Sequence, residues 1–409
     1  MSVSSPPVSR GDSPPLLRLK RGEERRLAAG HLWVFSNEID TARTPLGGFA
    51  AGDHVELRSA RDAFLGHAYV NPHALICARI LSRRPERPID AALIEERLAA
   101  ALDLRERLGH AAYGRWVFGE SDLLPGLVLD RYGEVVIGQS ATAGMERLLT
   151  PVAEAVRRLV QPATLLWKND GAARELEGLP RESHAAFGAV PERLSVREGA
   201  LHFEVPLAAA QKTGWFYDQA ANRVRLAPYV RAGARVLDVC SYAGAWALAA
   251  LRQGAGSALC VDAAQAALEC ASANAARNGL TLETLRADAF EALQSLGARG
   301  ERFDLVILDP PAFIKRKKDA PQGQAAYRKL NQLALSVLAQ GGLLVSCSCS
   351  YHLSAEELLA AIQGAARHAG RFVQVLETLG QSPDHPLHPA IPETRYLKGF
   401  FCRVSGGVG

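Results

Sequence analysis

The chain has no run of about eighteen apolar residues, so no membrane-spanning helix is expected. Its seven cysteines, at positions 77, 240, 260, 270, 347, 349 and 402, are odd in number and irregular in spacing. That pattern excludes a full disulfide framework and points to reduced thiols. Residues 1–15 hold a single Arg and no apolar core, which is not a secretory signal; they read as a loose tail rich in Ser, Pro and Gly. A cytoplasmic protein is expected. Net charge is only +4, too small to decide whether the partner is nucleic acid. No internal repeats occur. With 409 residues, 48% of them hydrophobic, the chain has length for two or three folded units.

Charge is clustered where it occurs. Arg18, Lys20, Arg21, Arg25 and Arg26 form one group, and Lys315, Arg316, Lys317 and Lys318 form another. Either group reads as a solvated charged face or as a set of phosphate contacts.

Strand and turn signals dominate residues 16–85, with short strands at Leu16–Leu19, Trp33–Phe35, His54–Leu57, Phe64–Val70 and Ala74–Leu81. A β-rich module is expected there. Helical spacing then runs from Ile89 to Leu108, followed by strands at Leu124–Asp130, Val135–Gln139 and Thr164–Lys168, with a helix over Met145–Leu159. This describes a small α+β unit over residues 86–190. From 191 to 409 strands and helices alternate, which demands a mostly parallel, open α/β sheet; the last strand, Gly399–Val404, follows Phe372–Glu377 so closely that it should be antiparallel.

The first strand of that sheet leads into Asp238-Val-Cys-Ser241-Tyr242-Ala-Gly244, and the second ends at Asp262. A strand-end carboxylate at 262 suits the two hydroxyls of a ribose, and Gly244 suits a tight turn near a ligand. The loop lacks the three glycines of a pyrophosphate-binding turn, so a nucleoside without phosphates fits better; S-adenosylmethionine is such a ligand. Asp288 is placed to meet an adenine amino group, beside Phe290. Capping of the following helices is the bland alternative for Asp262 and Asp288. Upstream, Gln211-Lys-Thr-Gly-Trp-Phe216-Tyr-Asp218-Gln219 interrupts an apolar run with polar groups, so Phe216, Asp218 and Gln219 join the cofactor candidates, and residues 215–229 read as a helix over that end of the sheet.

Two further motifs end buried strands: Asp309-Pro310-Pro311, and Val345-Ser346-Cys347-Ser348-Cys349-Ser350. A thiolate adding to C6 of cytosine breaks its aromaticity and turns C5 into a nucleophile toward a sulfonium methyl. That chemistry needs one Cys and one carboxylate at N3 or N4, roles for which Cys349 and Asp309 are the candidates. Cys347 shares strand parity with Cys349 but lies further inside; Cys349, at the exit, is favoured. Asp309 and Pro310 also border the cofactor, and Pro311 offers a stacking surface.

These residues, with Gly30-His-Leu-Trp-Val-Phe35, Gly119 to Gly133 and Tyr396-Leu-Lys-Gly-Phe400, resemble the RlmI-like family of class I methyltransferases, bacterial 23S rRNA cytosine-C5 enzymes. The resemblance spans residues 16 to 404. It implies a PUA domain at 16–85, a connecting α+β domain at 86–190 and a Rossmann-like methyltransferase domain at 191–409, with Cys349 as nucleophile. Val-Cys at 239–240 departs from the family, where an aromatic often precedes the Ser-Tyr pair. It further implies RNA as partner, with Arg18, Lys20 and Arg21 on the PUA side and Lys315 and Lys317 beside the cleft as phosphate contacts, and a flipped or unpaired target. A homodimer is possible. Competing readings are methylation of an exocyclic amine, a ribosome-assembly factor with a vestigial cofactor site, and a metal site at His385 and His388. The last lacks zinc-like ligand spacing, so no metal is expected.

Overall fold

The computed structural model describes residues 14–407, so residues 1–13 of the expected tail lie outside the described residues. Every strand read from residues 16–85 forms, with ends displaced by a few residues at most. They make one five-stranded sheet in the order Leu16–Arg18, Asp53–Arg58, Phe64–Val70, Ile76–Ser82, Trp33–Phe35. Irregular register at Leu57/Arg58, His67/Ala68 and Val34/Phe35 bends the sheet around a core of Leu17, Leu27, Val34, Leu57, Val70 and Ile80.

The helix Ala91–Arg107 begins at Asp90, whose Oδ1 accepts the Leu93 N–H at 2.8 Å. It packs on a second five-stranded sheet, of which two strands, Tyr113–Phe118 and Glu182–Phe187, were not legible. The first carries a charge inside: Arg115 is buried and forms a fork with Asp130 at 2.5 and 2.9 Å. The second, Glu-Ser-His-Ala-Ala-Phe, has weak strand propensity and is an exposed edge. The expected helix Met145–Leu159 is two helices, Ala143–Glu146 and Leu149–Val160, and Pro151 falls in the first turn of the second, where its missing N–H costs nothing.

A hairpin absent from the sequence reading, Arg193–Glu198 with Leu201–Pro206, comes next. Its alternation puts Leu194, Val196, Phe203 and Val205 on one face, buried between Tyr132, Ile137 and Leu166 of the central sheet and Ala245 and Leu248 of the third unit. The hairpin is therefore the packed joint between the two units.

The third sheet has seven strands: β1 (Arg235–Val239), β2 (Ser257–Asp262), β3 (Glu283–Arg286), β4 (Phe303–Leu308), β5 (Leu338–Ser348), β6 (Arg371–Gly380) and β7 (Lys398–Gly406). Their spatial order is β3-β2-β1-β4-β5-β7-β6. Strand β7 is antiparallel to its neighbours as expected, but it is slotted between β5 and β6 and leaves β6 as the edge. Strand order reverses between β1 and β4, and a crevice opens at their carboxyl ends.

Arg105 ties the central unit to the loop preceding β7. It is fully buried, pairs with both Asp122 oxygens at 2.6 and 2.8 Å, and donates to the carbonyls of Arg115 and Asp384. Arg105→Met strands the Asp122 carboxylate in the interior, so a loss of about 3–5 kcal/mol is expected from urea unfolding; a loss below ~1 kcal/mol would show that the joint does not depend on this pair.

Candidate active site

The turn after β1 is built from backbone that side chains seldom adopt. Cys240, Tyr242 and Gly244 have φ of +63°, +48° and +78°. Gly244 is needed for space: a Cβ there would sit 3.0 Å from the Ala271 Cβ. The missing Cβ thus permits a close approach to the helix Gln265–Arg277. Asp238 also acts on the turn. It is fully buried beneath it, and its Oδ2 accepts the Ala247 N–H at 3.1 Å; burial, more than anything else, pushes its carboxyl up to about 7.

Asp262 ends β2 half-buried, with Oδ2 accepting from Tyr242 N and Oδ1 from Ala264 N, each at 2.9 Å. It therefore ties down both the turn and the next helix, and each oxygen keeps a lone pair for a hydroxyl. Asp288 is exposed and caps the helix Ala289–Ala298 through Phe290 N at 2.8 Å, leaving Oδ2 open. At both residues the capping contacts leave acceptor capacity free for a ligand.

Residues 215–229 are not one helix. A tight turn at Tyr217–Gln219, a short helix Ala220–Arg225 and another turn at Ala227–Tyr229, which contains Pro228, take its place. The break turns Gln219 inward, where its Nε2 donates to Asp309 Oδ1 at 2.9 Å while its Oε1 accepts from Asn222 at 2.7 Å. Trp246 Nε1 donates to the other Asp309 oxygen at 3.1 Å. Burial and the nearby Asp218 raise the Asp309 carboxyl above its ordinary value, against the pull of these donors and Arg223. Asp218 is 5% exposed, and its Oδ2 accepts from Tyr396 OH at 2.5 Å. Burial opposes its charge, but Lys212, His385, Tyr396 and Arg115 outweigh it and hold the carboxyl below the usual range. Phe216, Lys212, Asp218, His385 and Tyr396 line a cavity of about 160 Å³ where the central and C-terminal sheets meet. Sequence reasoning missed Trp246, Asn222 and Tyr396 as site residues, although each stands in or at the end of a motif that the sequence shows.

Four buried polar atoms around this cleft have no partner: Asp218 Oδ1, Asn222 Oδ1, Asp238 Oδ1 and Ser241 Oγ. Three of the four are acceptors. A ligand bearing ammonium and hydroxyl donors satisfies such a set, and an anionic phosphate does not.

The two cysteines separate cleanly. Cys347 lies within β5, 1% exposed. Cys349 lies one residue past its end, partly exposed, with Sγ 3.9 Å from the carbonyl of buried Pro310. Burial raises the Cys349 thiol; Lys212 lowers it, and Asp309 and Asp218 raise it further. Pro311 is exposed on the rim, whereas Phe313 packs on Tyr327 at 4.8 Å and near Phe290 at 6.0 Å.

The basic candidates fare unevenly. Lys315 and Lys317 are exposed beside the cleft. Arg18 is spent on an ion pair with Asp62 at 2.6 Å, and Lys20 donates to the Asn37 carbonyl at 2.7 Å; Arg26 pairs with Glu38. Asp62 lies on a turn and Glu38 on a short 3-10 helix, outside the run of basic residues, which is why the sequence did not show the pairing; Arg21 and Arg25 are exposed and have no ion pair among the described residues. His385 is buried against Asp384 Oδ1 at 2.9 Å, and no group able to hold a metal occurs among the described residues.

Comparison with known proteins agrees with this geometry. A family model for a PUA-like domain matches residues 17–83, and one for S-adenosylmethionine-dependent methyltransferases matches residues 169–397. Proteins named ribosomal RNA large subunit methyltransferase I from Yersinia pestis and Yersinia pseudotuberculosis are 33% identical over 396 residues, covering 95% of this chain and 99% of theirs. Among solved structures, the SMU.776 methyltransferase in complex with SAH superposes with a TM-score of 0.80 at 21% identity, over 95% of this chain and 100% of that one. A methyltransferase from Streptococcus mutans gives 0.78 at the same identity and coverage, and the two establish a shared fold. The unpartnered acceptors and Asp262 fit, by their chemistry, the ammonium and ribose hydroxyls of the cofactor that the family model names. The chain belongs to the S-adenosylmethionine-dependent methyltransferases of the ribosomal RNA large subunit methyltransferase I family.

Proposed function

We propose that the protein methylates carbon 5 of a cytosine in 23S ribosomal RNA through a transient bond between Cys349 and C6. The observation that carries this reading is Cys349 at the mouth of the cleft, its sulfur against Pro310 of the Asp309 loop, while Cys347 is sealed in the sheet. S-adenosylmethionine supplies an electrophilic methyl group. Asp262 holds the ribose, Asp288 and Phe290 border the adenine, and Asp218, Gln219 and Ser241 with Phe216 and Tyr242 surround the methionine end. Asp238 and Gly244 shape the turn. Asp309 orients the ring at N3 or N4, and Pro310 and Pro311 form the wall on which it rests.

The chain's own groups then act in order. Cys349 gives up its proton to solvent and its sulfur adds to C6, which moves the ring electrons onto C5. After C5 has accepted the methyl, with S-adenosylhomocysteine as the leaving group, the C5 proton passes to a water and the C5–C6 double bond reforms as the sulfur departs as a thiolate. A cytosine reaches this cleft only out of its stack. We divide the chain at 85 and 190 into PUA, connecting and methyltransferase domains, with Arg21, Arg25, Lys315 and Lys317 meeting the RNA backbone. rRNA as substrate places the protein in the cytoplasm. Exposed Phe372, Val375 and Leu376 on the edge strand β6 support a homodimer, which sedimentation at micromolar concentration would test against a monomer.

Amine methylation is the weaker reading. Ala312 follows Pro311, and Phe313, the first aromatic after the Asp-Pro-Pro turn in sequence, packs on Tyr327 instead of standing next to the prolines. Incubating the protein with unmodified rRNA and labelled cofactor, then resolving the nucleosides by mass spectrometry, separates the two: 5-methylcytidine is expected, and an N-methylated purine would overturn the proposal. Asp262→Ala should weaken cofactor binding by about 10–100-fold in calorimetry, as two hydroxyl contacts to a charged acceptor are lost. A change under threefold would remove Asp262 from the site.

A further inference from the structure

The residues on either side of Cys349 are fastened from three directions. Ser348 Oγ donates to Tyr327 OH at 2.8 Å, and the same phenol shares a hydrogen bond with Ser350 Oγ at 2.9 Å. Ser350 Oγ also accepts the Ile314 N–H at 3.2 Å, which joins the thiol loop to the loop that carries Asp309. From the first residue of β7, Lys398 sends its Nζ to the carbonyls of Ser350 at 2.5 Å and Leu353 at 2.7 Å. Lys398 is 8% exposed and has no carboxylate within ion-pair distance among the described residues. A buried ammonium without a counterion is costly unless an anion appears beside it at some stage.

We infer that Lys398 is a positioning residue that clamps the Cys349 loop and serves as the fixed countercharge for the Cys349 thiolate. The clamp rests on the reading of Cys349 as nucleophile. Its electrostatic logic follows from what faces the sulfur. Asp309 and Asp218 disfavour a thiolate, and Tyr396 adds no positive charge; Lys212 favours one but is exposed, on a loop with φ of +51°. Lys398 stands behind the loop and shares a favourable charge interaction with Cys349, while Glu357 also faces it and Arg395 opposes it; burial lowers the ammonium to about 8. It is still largely charged at neutral pH. The hydroxyls of Tyr327, Ser348 and Ser350 do the complementary work of holding distance without charge.

The two contributions are separable. Lys398→Met removes the charge and the clamp, whereas Tyr327→Phe removes only the hydroxyl and leaves the ring on Phe313. The probe is iodoacetamide, with Cys349 alkylation followed by peptide mass spectrometry as pH is varied, alongside turnover on rRNA and calorimetric binding of S-adenosylmethionine. For Lys398→Met, turnover should fall by about 10²-fold, cofactor affinity should stay within threefold, and the rate of Cys349 alkylation at pH 7, where Lys398 is charged, should fall by about tenfold. Tyr327→Phe should lower turnover by about tenfold and leave the alkylation rate at pH 7 where it is. An unchanged alkylation rate at pH 7 in a Lys398→Met protein that still binds cofactor overturns the inference. Cys349→Ala distinguishes that outcome from failure of the nucleophile itself: an active Cys349→Ala sinks the underlying reading, while an inactive one with normal Lys398→Met alkylation sinks only the clamp.

Discussion

Replacing Cys349 by Ala should reduce methyl transfer to rRNA by about 10⁴-fold while cofactor affinity stays within threefold, because no other group in the cleft can activate the C5 carbon. Sulfur is required for its nucleophilicity, so Cys349→Ser should be almost as inactive. Cys347→Ala is the control. Its thiol is buried in β5 against Gly399, where removal leaves a small cavity; the cost is about 1–2 kcal/mol of stability, with turnover changed by less than threefold. Should the two phenotypes exchange, the assignment by position along the strand is wrong. Because burial and two carboxylates raise the Cys349 thiol above its ordinary value, the thiolate fraction at neutral pH is small. Activity should accordingly climb with pH from neutrality until Lys398 begins to lose its proton near pH 8, and a rate that is flat below that pH would contradict a thiolate-limited first step.

Asp309→Asn carries the second large effect, with turnover expected to fall by about 10²–10³-fold. Both carboxylate oxygens of Asp309 accept hydrogen bonds, one from Gln219 and one from Trp246. An amide there must turn its NH₂ toward one of these donors, so the substitution disturbs the anchor as well as the charge presented to the ring. Calorimetry divides the two. An effect on ring orientation lowers turnover with cofactor affinity nearly unchanged, whereas collapse of the Gln219–Asn222 chain weakens cofactor binding as well. Retention of more than a third of the activity would leave Asp309 without a chemical role.

Much of this architecture was legible because its signals are local. The turn-bounded run Phe64–Val70, the strand–helix rhythm from Arg235 onward and the strand-end motifs at 238, 262, 309 and 349 each depend on neighbours in sequence. What escaped depends on partners far along the chain. Tyr113–Phe118 is a strand because Asp130 neutralises Arg115 across the ladder, and the hairpin at 193–206 is stable because two units close over its apolar face. The same limit applies at the site. Gly244 and Asp238 read from their spacing as ligand contacts alone, and the structure adds a local role to each: one makes room for Ala271 and the other fastens a helix. Arg18 read as a free cation until Asp62 was brought beside it. Trp246 and Asn222 stood at the ends of the motifs that begin at Asp238 and Gln211 but drew no role there, since their value lies in the distance to Asp309 and Gln219.

The most direct measurement of the central claim is to offer the protein and S-adenosylmethionine an rRNA fragment containing 5-fluorocytidine. Fluorine at C5 cannot leave as a proton does, so the ring remains joined to the sulfur after methyl transfer. A denaturation-stable protein–RNA adduct that maps by mass spectrometry to the peptide carrying Cys349, and vanishes in Cys349→Ala, is the predicted result. Normal methylation of the unsubstituted fragment with no adduct from the fluorinated one, or an adduct at Cys347, would contradict the account.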